Sequence, residues 1–189
     1  MADVLDGIDD KLAAWMTAQP LFFVATAPRA DEQHVNISPK GLAGSFAVVD
    51  DHTVAYLDLT GSGIETIAHV RENGRIVLMF CAFEGRPQII RLHGRGRVTV
   101  PGDAEFEALI GQFDEHLGVR SVIVVDVSRV SKSCGFAVPT MTYEADRPVL
   151  DLDHSKKGAD GLAEYRATMN TTSIDGLPGL PGLPGLPGL

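Results

Sequence analysis

The strand-like runs of this chain follow one another too closely for most of them to be parallel neighbours. LFFVATA (residues 21–27) reads as a buried strand, PRADEQ as a turn and HVNIS (34–38) as the returning strand, which SPKG breaks. FAVVD (46–50) and TVAYLDL (53–59) flank the short polar turn Asp50-Asp51-His52. RIVLMFCAF (75–83) reads as a central strand, and QIIRLHGRGRVTV (88–100) as a long one bent or bulged near Gly94 and Gly96. VRSVIVVDVSRV (119–130) adds another, and KSCGFAVP closes this part of the chain. A parallel pair needs a crossover of a dozen or more residues, and most connections here are shorter. The expected fold is therefore mainly β with flanking helices, about six antiparallel strands that remove their exposed edges by closing into a barrel.

Helical spacing marks the flanking elements. Ile8, Leu12 and Trp15 predict a short amphipathic helix over 8–18, stopped by Pro20. TGSGIETIAHVREN reads as a loop feeding a second helix. Phe106, Leu109, Ile110 and Phe113 follow i, i+3, i+4, i+7 and predict a third. DRPVLDLDHSKKG reads as a polar connection. Leu162, Tyr165 and Met169 then share a face of a last helix in DGLAEYRATMN. The expected organisation is one barrel domain over 1–150, a connection and packing helix over 151–175, and a repeat tail over 176–189.

Charge narrows the partners. The formal net charge of −9 disfavours nucleic acid, whose phosphates need clustered Lys and Arg. No run approaches the roughly 18 apolar residues of a membrane helix, and MADVLDGIDDKL lacks a signal peptide's basic start and apolar run. These features predict a cytoplasmic protein. Cys81 and Cys134 stand far apart and read as small buried hydrophobes, neither a disulfide scaffold nor a zinc knuckle. The six histidines show no HExxH pattern, so no metal is expected.

The stretch richest in chemistry is YLDLTGSGIET (56–66): a strand, a glycine-rich loop and a helix start. The free N–H groups at such a start bind anions, and glycines let the backbone approach closely. Thr60, Ser62 and Thr66 add hydroxyls. The same residues also read as a capping box, Ser62-x-x-Glu65, satisfying the helix's own N–H groups. In NISPKG (36–41), Lys40 just past a strand end could meet a phosphate or an electron-rich ring, or be an exposed loop lysine. Arg91, His93, Arg95 and Arg97 alternate and so share one strand face, either as an anion site or as a solvated outer face.

Taken in order, VNISPKG, YLDLTGSGIETIAHVRENGRIVLMF, IIRLHGRGRV and SCGFAVP resemble the pyridoxamine 5'-phosphate oxidase-like family of FMN-binding split barrels, over roughly residues 5–175. The resemblance implies a six-stranded antiparallel split barrel, a homodimer with FMN between its subunits, and a small-molecule substrate. By position, Asn36, Ile37, Ser38 and Lys40 would line the flavin, Thr60 would lie beside its phosphate, and Gln88 near its ring. Ser62 and Thr66 join them as cofactor contacts; no catalytic side chain is implied. True oxidases of the family place an Arg-Lys pair on the phosphate where this chain has Glu65-Thr66. They also carry an Arg-bearing C-terminal substrate segment where this chain has SIDGLPGL. The resemblance therefore points to an FMN-dependent oxidoreductase of another substrate. The alternatives are a barrel that holds flavin or haem without turnover, an interaction protein, and a deazaflavin enzyme whose acidic cofactor would lie on Arg91, Arg95 and Arg97.

The chain ends GLPGLPGLPGLPGL, with five glycines at period three. Collagen needs that period, but it also needs three chains and a longer run than these 14 residues. The SIDGLPGL copy is expected to pack on the barrel or its partner near the cleft, with the later copies as a tandem expansion.

Overall fold

The computed structural model describes residues 3–180. The strands are β1 (Asp3–Leu5), β2 (Phe22–Thr26), β3 (Asn36–Lys40), β4 (Phe46–Asp50), β5 (Thr53–Leu59), β6 (Arg75–Cys81), β7 (Ile89–Thr99) and β8 (Val119–Ser133). The helices are α1 (Asp10–Thr17), α2 (Glu65–Asn73), α3 (Ala104–Leu109) and α4 (Val149–Met169). All eight strands join one sheet in the order β3-β2-β6-β7-β8-β5-β4, with β1 also on β8. Every pairing is antiparallel. The result is an open split-barrel sheet with helices against it.

Two clusters fill it, and strand alternation assigns residues to them. Val54 and Tyr56 of β5, with Ile123 and Val125 of β8, face the main core beside Phe22, Leu78, Phe80 and Ile90. Ala55 and Leu57, with Val122 and Val124, face the opposite way and meet Phe106, Leu109 and Phe113 of the α3 region. The middles of β5 and β8 are thus covered on both sides, which is why Val54–Leu57 and Val122–Val125 read as unbroken apolar runs. The expected bulge is present, as the β7–β8 register shifts between His93 and Gly94. A Cβ on Gly94 would lie 2.2 Å from the Asp126 carbonyl oxygen, so only glycine fits there.

Seven expectations change. The sheet stays open instead of closing into a barrel, since β3 and β4 end it without pairing. The third helix ends at Leu109, and a 3-10 turn over Ile110–Gln112 carries the chain to an extended Phe113. The sheet has eight strands rather than six; three-residue β1 carries no periodicity and exists because long β8 offers it an edge. β3 runs through Pro39 and Lys40 instead of breaking at SPKG. Its place at the end of the sheet leaves Pro39's missing N–H harmless. The last helix begins at Val149, inside the expected polar connection, and kinks at Gly158 (φ 65°). The first half of α4 is held by His154, whose Nε2 lies 2.9 Å from the Thr60 carbonyl. Cys81 is buried as expected, whereas Cys134 is exposed. Finally, Ser62 and Glu65 form no capping box, for Ile64 is the N-cap and no side chain caps α2.

Among the described residues no helix is long and apolar enough to cross a membrane.

Candidate functional site

Asp58 and Arg120 organise the site. Asp58 is the one charged residue of β5 and Arg120 precedes the apolar run Val122–Val125 of β8, and neither could be buried alone. Arg120 Nε lies 2.7 Å from Asp58 Oδ2, and both side chains are almost wholly buried. Ser121 donates to the same carboxylate at 3.2 Å. Lys40 adds a second cation, 3.4 Å from Asp58 Oδ1, with its Nζ 5.9 Å from the centre of the Tyr56 ring. Burial alone would push the Asp58 carboxyl up; the charges of Arg120 and Lys40 outweigh it and hold it below its ordinary value.

Arg120 spends its remaining donors on the glycine loop. They go to the carbonyls of Gly61 (3.2 Å) and Gly63 (2.8 Å) and to Asn170 Oδ1 (2.9 Å). Asn170 returns a bond from Nδ2 to the Gly61 carbonyl. In a planar trans peptide the carbonyl and the following N–H point opposite ways. Turning those carbonyls to Arg120 therefore turns the Ser62 and Ile64 N–H groups away from it. The first N–H groups of α2 have no intrahelical partner either.

A cleft opens at this point. Ser38, Lys40, Leu59, Gly61, Gly63, Glu65, Thr66 and Arg120 line it, around ≈ 150 Å³. Of the residues expected to bind a cofactor, Ser38, Lys40 and Thr66 are brought together here. Asn36 stands behind them, its amide bonded to Thr66, Thr26 and Ser38. The others lie elsewhere. Ile37 alternates to the opposite face of β3 and is exposed. Thr60 is buried, donates to the Gly118 carbonyl at 2.9 Å and accepts from Arg166, so its hydroxyl serves α4 packing. Ser62 is exposed at the loop tip. Gln88 lies in the β6–β7 loop, its carbonyl accepting from Ala82 N–H at 2.9 Å. The strand arginines are engaged as well. Arg97 is gripped by Glu105 and Asp126, Arg91 bonds Ser133 and Arg95 bonds the Asn73 carbonyl. They offer no free basic groove.

The C-terminal segment crosses the start of α2. Asp175 pairs with His34 Nδ1 at 2.7 Å and accepts from the His34 N–H; these bonds hold its carboxyl below the ordinary value. Glu65 Oε1, freed from capping, accepts from Ile174 N–H at 3.3 Å. Gly179 N–H and Leu180 N–H donate to the Thr171 and Asn170 carbonyls, Arg71 donates to the Gly179 carbonyl, and Leu180 enters the main core. The first Gly-Leu-Pro copy is thus a strap packed beside the cleft. The later copies lie outside the described residues.

Arg120, Asp58 and Asn170 escaped the sequence reading, although a signal existed. Asp58 is the one charged residue in TVAYLDL, and a basic partner for it had to come from a neighbouring strand; VRSVIVVDVSRV offers Arg120 and Arg129, and only the register tells them apart.

Comparison with known proteins bears on this site. The pyridoxamine 5'-phosphate oxidase family profile matches residues 8–134. The pyridoxamine 5'-phosphate oxidase family protein ustO of Aspergillus flavus is 40% identical over 189 aligned positions, spanning 91% of this chain and 75% of that one. Among solved structures, HupZ of Group A Streptococcus superposes with a TM-score of 0.52 at 22% identity, over 71% of this chain and 99% of HupZ. A HupZ variant gives 0.51 at 24%, over 67% and 99%. At such identities these two speak for the fold alone.

Proposed function

This chain belongs to the pyridoxamine 5'-phosphate oxidase family, and from that membership we propose that it is a flavoprotein, an FMN-dependent oxidoreductase of a small-molecule substrate. The observation that carries the reading is the convergence of Lys40, Ser38, Thr66 and the uncapped start of α2 on one cleft. A phosphate monoester asks for donors there, and this donor set fits it. The N–H groups of the helix start, the Thr66 hydroxyl and the Lys40 ammonium are of the right kind. When bound, FMN would supply the hydride chemistry; the chain's own part is to bind, orient and exclude water. Most ligand pockets enclose roughly 300–1,000 Å³, and this cleft is smaller. That supports a site completed by a second copy of the chain, a homodimer.

A second reading, flavin held without turnover, draws on Glu65. Its carboxylate stands at the cleft where a phosphate would prefer a cation, and Lys40 is partly neutralised by Asp58.

The test is the absorption spectrum of the purified protein before and after adding FMN and removing the excess. Flavin bands retained through gel filtration, and bleached by a nicotinamide donor, are the expected result. Retained bands without bleaching would favour the second reading. A protein that keeps no FMN but retains added deazaflavin or haem would overturn the cofactor assignment.

A further inference from the structure

A line of hydrogen bonds runs from the cleft wall into the core. Ser38 Oγ donates to Asn36 Oδ1 at 3.2 Å. Asn36 Nδ2 gives its two hydrogens to Thr66 Oγ1 at 3.1 Å and Thr26 Oγ1 at 3.4 Å. Thr26 Oγ1 lies 3.0 Å from Nδ1 of His69, which is fully buried on α2. A hydroxyl has one hydrogen and two lone pairs, so once Thr26 donates to one neighbour it can only accept from the other.

His69 stands at the inner end and selects the direction. With Nδ1 as acceptor, Thr26 must donate to it and keeps only lone pairs for Asn36. The amide must then turn its NH2 toward Thr26 and Thr66 and its oxygen toward Ser38. Ser38 thus donates inward and offers lone pairs to the cleft. Thr66 receives, and its hydrogen is free to enter the cleft. A proton on Nδ1 would occupy one Thr26 lone pair and free the Thr26 hydrogen, so the amide is no longer held one way and the opposite line, with Thr26 and Thr66 donating to its oxygen and Ser38 accepting from its NH2, becomes open to it. We infer that His69 is a positioning residue that fixes the hydrogen-bond polarity of the cleft, with Thr66 as donor and Ser38 as acceptor. That polarity suits an oxyanion beside Thr66; the choice of FMN as its bearer rests on the function proposed above.

Burial lowers the basicity of His69 and keeps it neutral at pH 7, against the pull of Glu65 and Glu72 on its own helix and of Asp175 on the strap. Acidification that protonates it should release the line from its one fixed direction.

Nitrogen-15 spectra of the ligand-free, histidine-labelled chain test the inference directly. The expected result is a proton on Nε2 and a bare Nδ1 at pH 7.5. A proton on Nδ1 at that pH would overturn it. With FMN as probe, His69→Phe should raise Kd about tenfold, the loss of about one hydrogen bond. His69→Asn keeps an acceptor oxygen near the Nδ1 position and cannot titrate. It should restore most of the affinity and lack the acid-side weakening expected of the parent. A His69→Phe chain that binds FMN as tightly as the parent would also overturn the inference. If the parent retains no FMN, the flavin reading fails, and the nitrogen shifts still decide the role of His69.

Discussion

At the residue scale, Asp58 and Arg120 carry the largest electrostatic stake in the fold. Both are buried, and their remaining polar atoms are taken up by Ser121, Lys40, the two glycine carbonyls and Asn170. A buried pair contributes little over an apolar pair of the same shape, but removing one partner strands the other. Arg120→Met should therefore destabilise the protein by about 3–5 kcal/mol, read as a lower urea midpoint at pH 7. The pH dependence has a defined sign. The folded-state value of Asp58 lies below its ordinary one, near ~3.9 in an unfolded chain. The unfolded chain thus takes up the proton first as pH falls. The stability due to Asp58 is present above the unfolded value and is lost as pH falls through the folded one. The gap between parent and Arg120→Met should accordingly narrow on acidification. A gap that stays constant between pH 7 and the acid limit of folding would show that packing, not charge, sets the cost.

At the scale of elements, the strap is the feature that gives the repeat tail a structural meaning. Leu180 is fully buried in the main core, and a Cβ on Gly179 would lie 2.4 Å from the Asn170 carbonyl oxygen and 2.7 Å from Ile64 Cγ1. Leu180→Ala should cost about 2–5 kcal/mol, as for other buried leucines. It should also weaken FMN retention, because the strap is tied to the glycine loop through Asn170 and to the cleft through Glu65. Deleting residues 181–189 should change neither thermal midpoint nor flavin affinity; a drop in either would assign the later repeats a share of the anchoring. How legible each element was depends on where its determinants lie. The α3 face was legible because Phe106 and Leu109 follow the period of a helix and face one cluster; Phe113 joins that cluster from the extended chain past the 3-10 turn, where the period no longer applies. The start of α2 was legible as a glycine loop feeding a helix, but its capping was not. Whether Ser62 or Ile64 takes the N-cap depends on Arg120, 57 residues from Gly63. The first half of α4 was illegible because its apolar Val149 and Leu152 stay exposed and it docks through buried His154.

For the whole molecule, the outer face of β3 bears on assembly. β3 ends the sheet, and alternation sends Asn36, Ser38 and Lys40 toward the cleft while Ile37 points outward. Val35 and Ile37 are 72% and 65% exposed. Two large aliphatic side chains on and just before the terminal strand of a sheet invite pairing with another chain unless something covers them. A homodimer formed there would hide both and bring a second chain against the strand that supplies Ser38 and Lys40. It would also enlarge a cleft that one chain leaves small. Replacing Val35 and Ile37 together by lysine should convert the protein to a monomer in sedimentation equilibrium, with its circular dichroism unchanged. FMN retention should fall in the same variant, since a shared site loses its second wall. A lysine variant that remains dimeric would move the interface to another face. A monomer that still retains FMN as tightly as the parent would show that one chain suffices, and the small cleft would then have to open to admit its ligand.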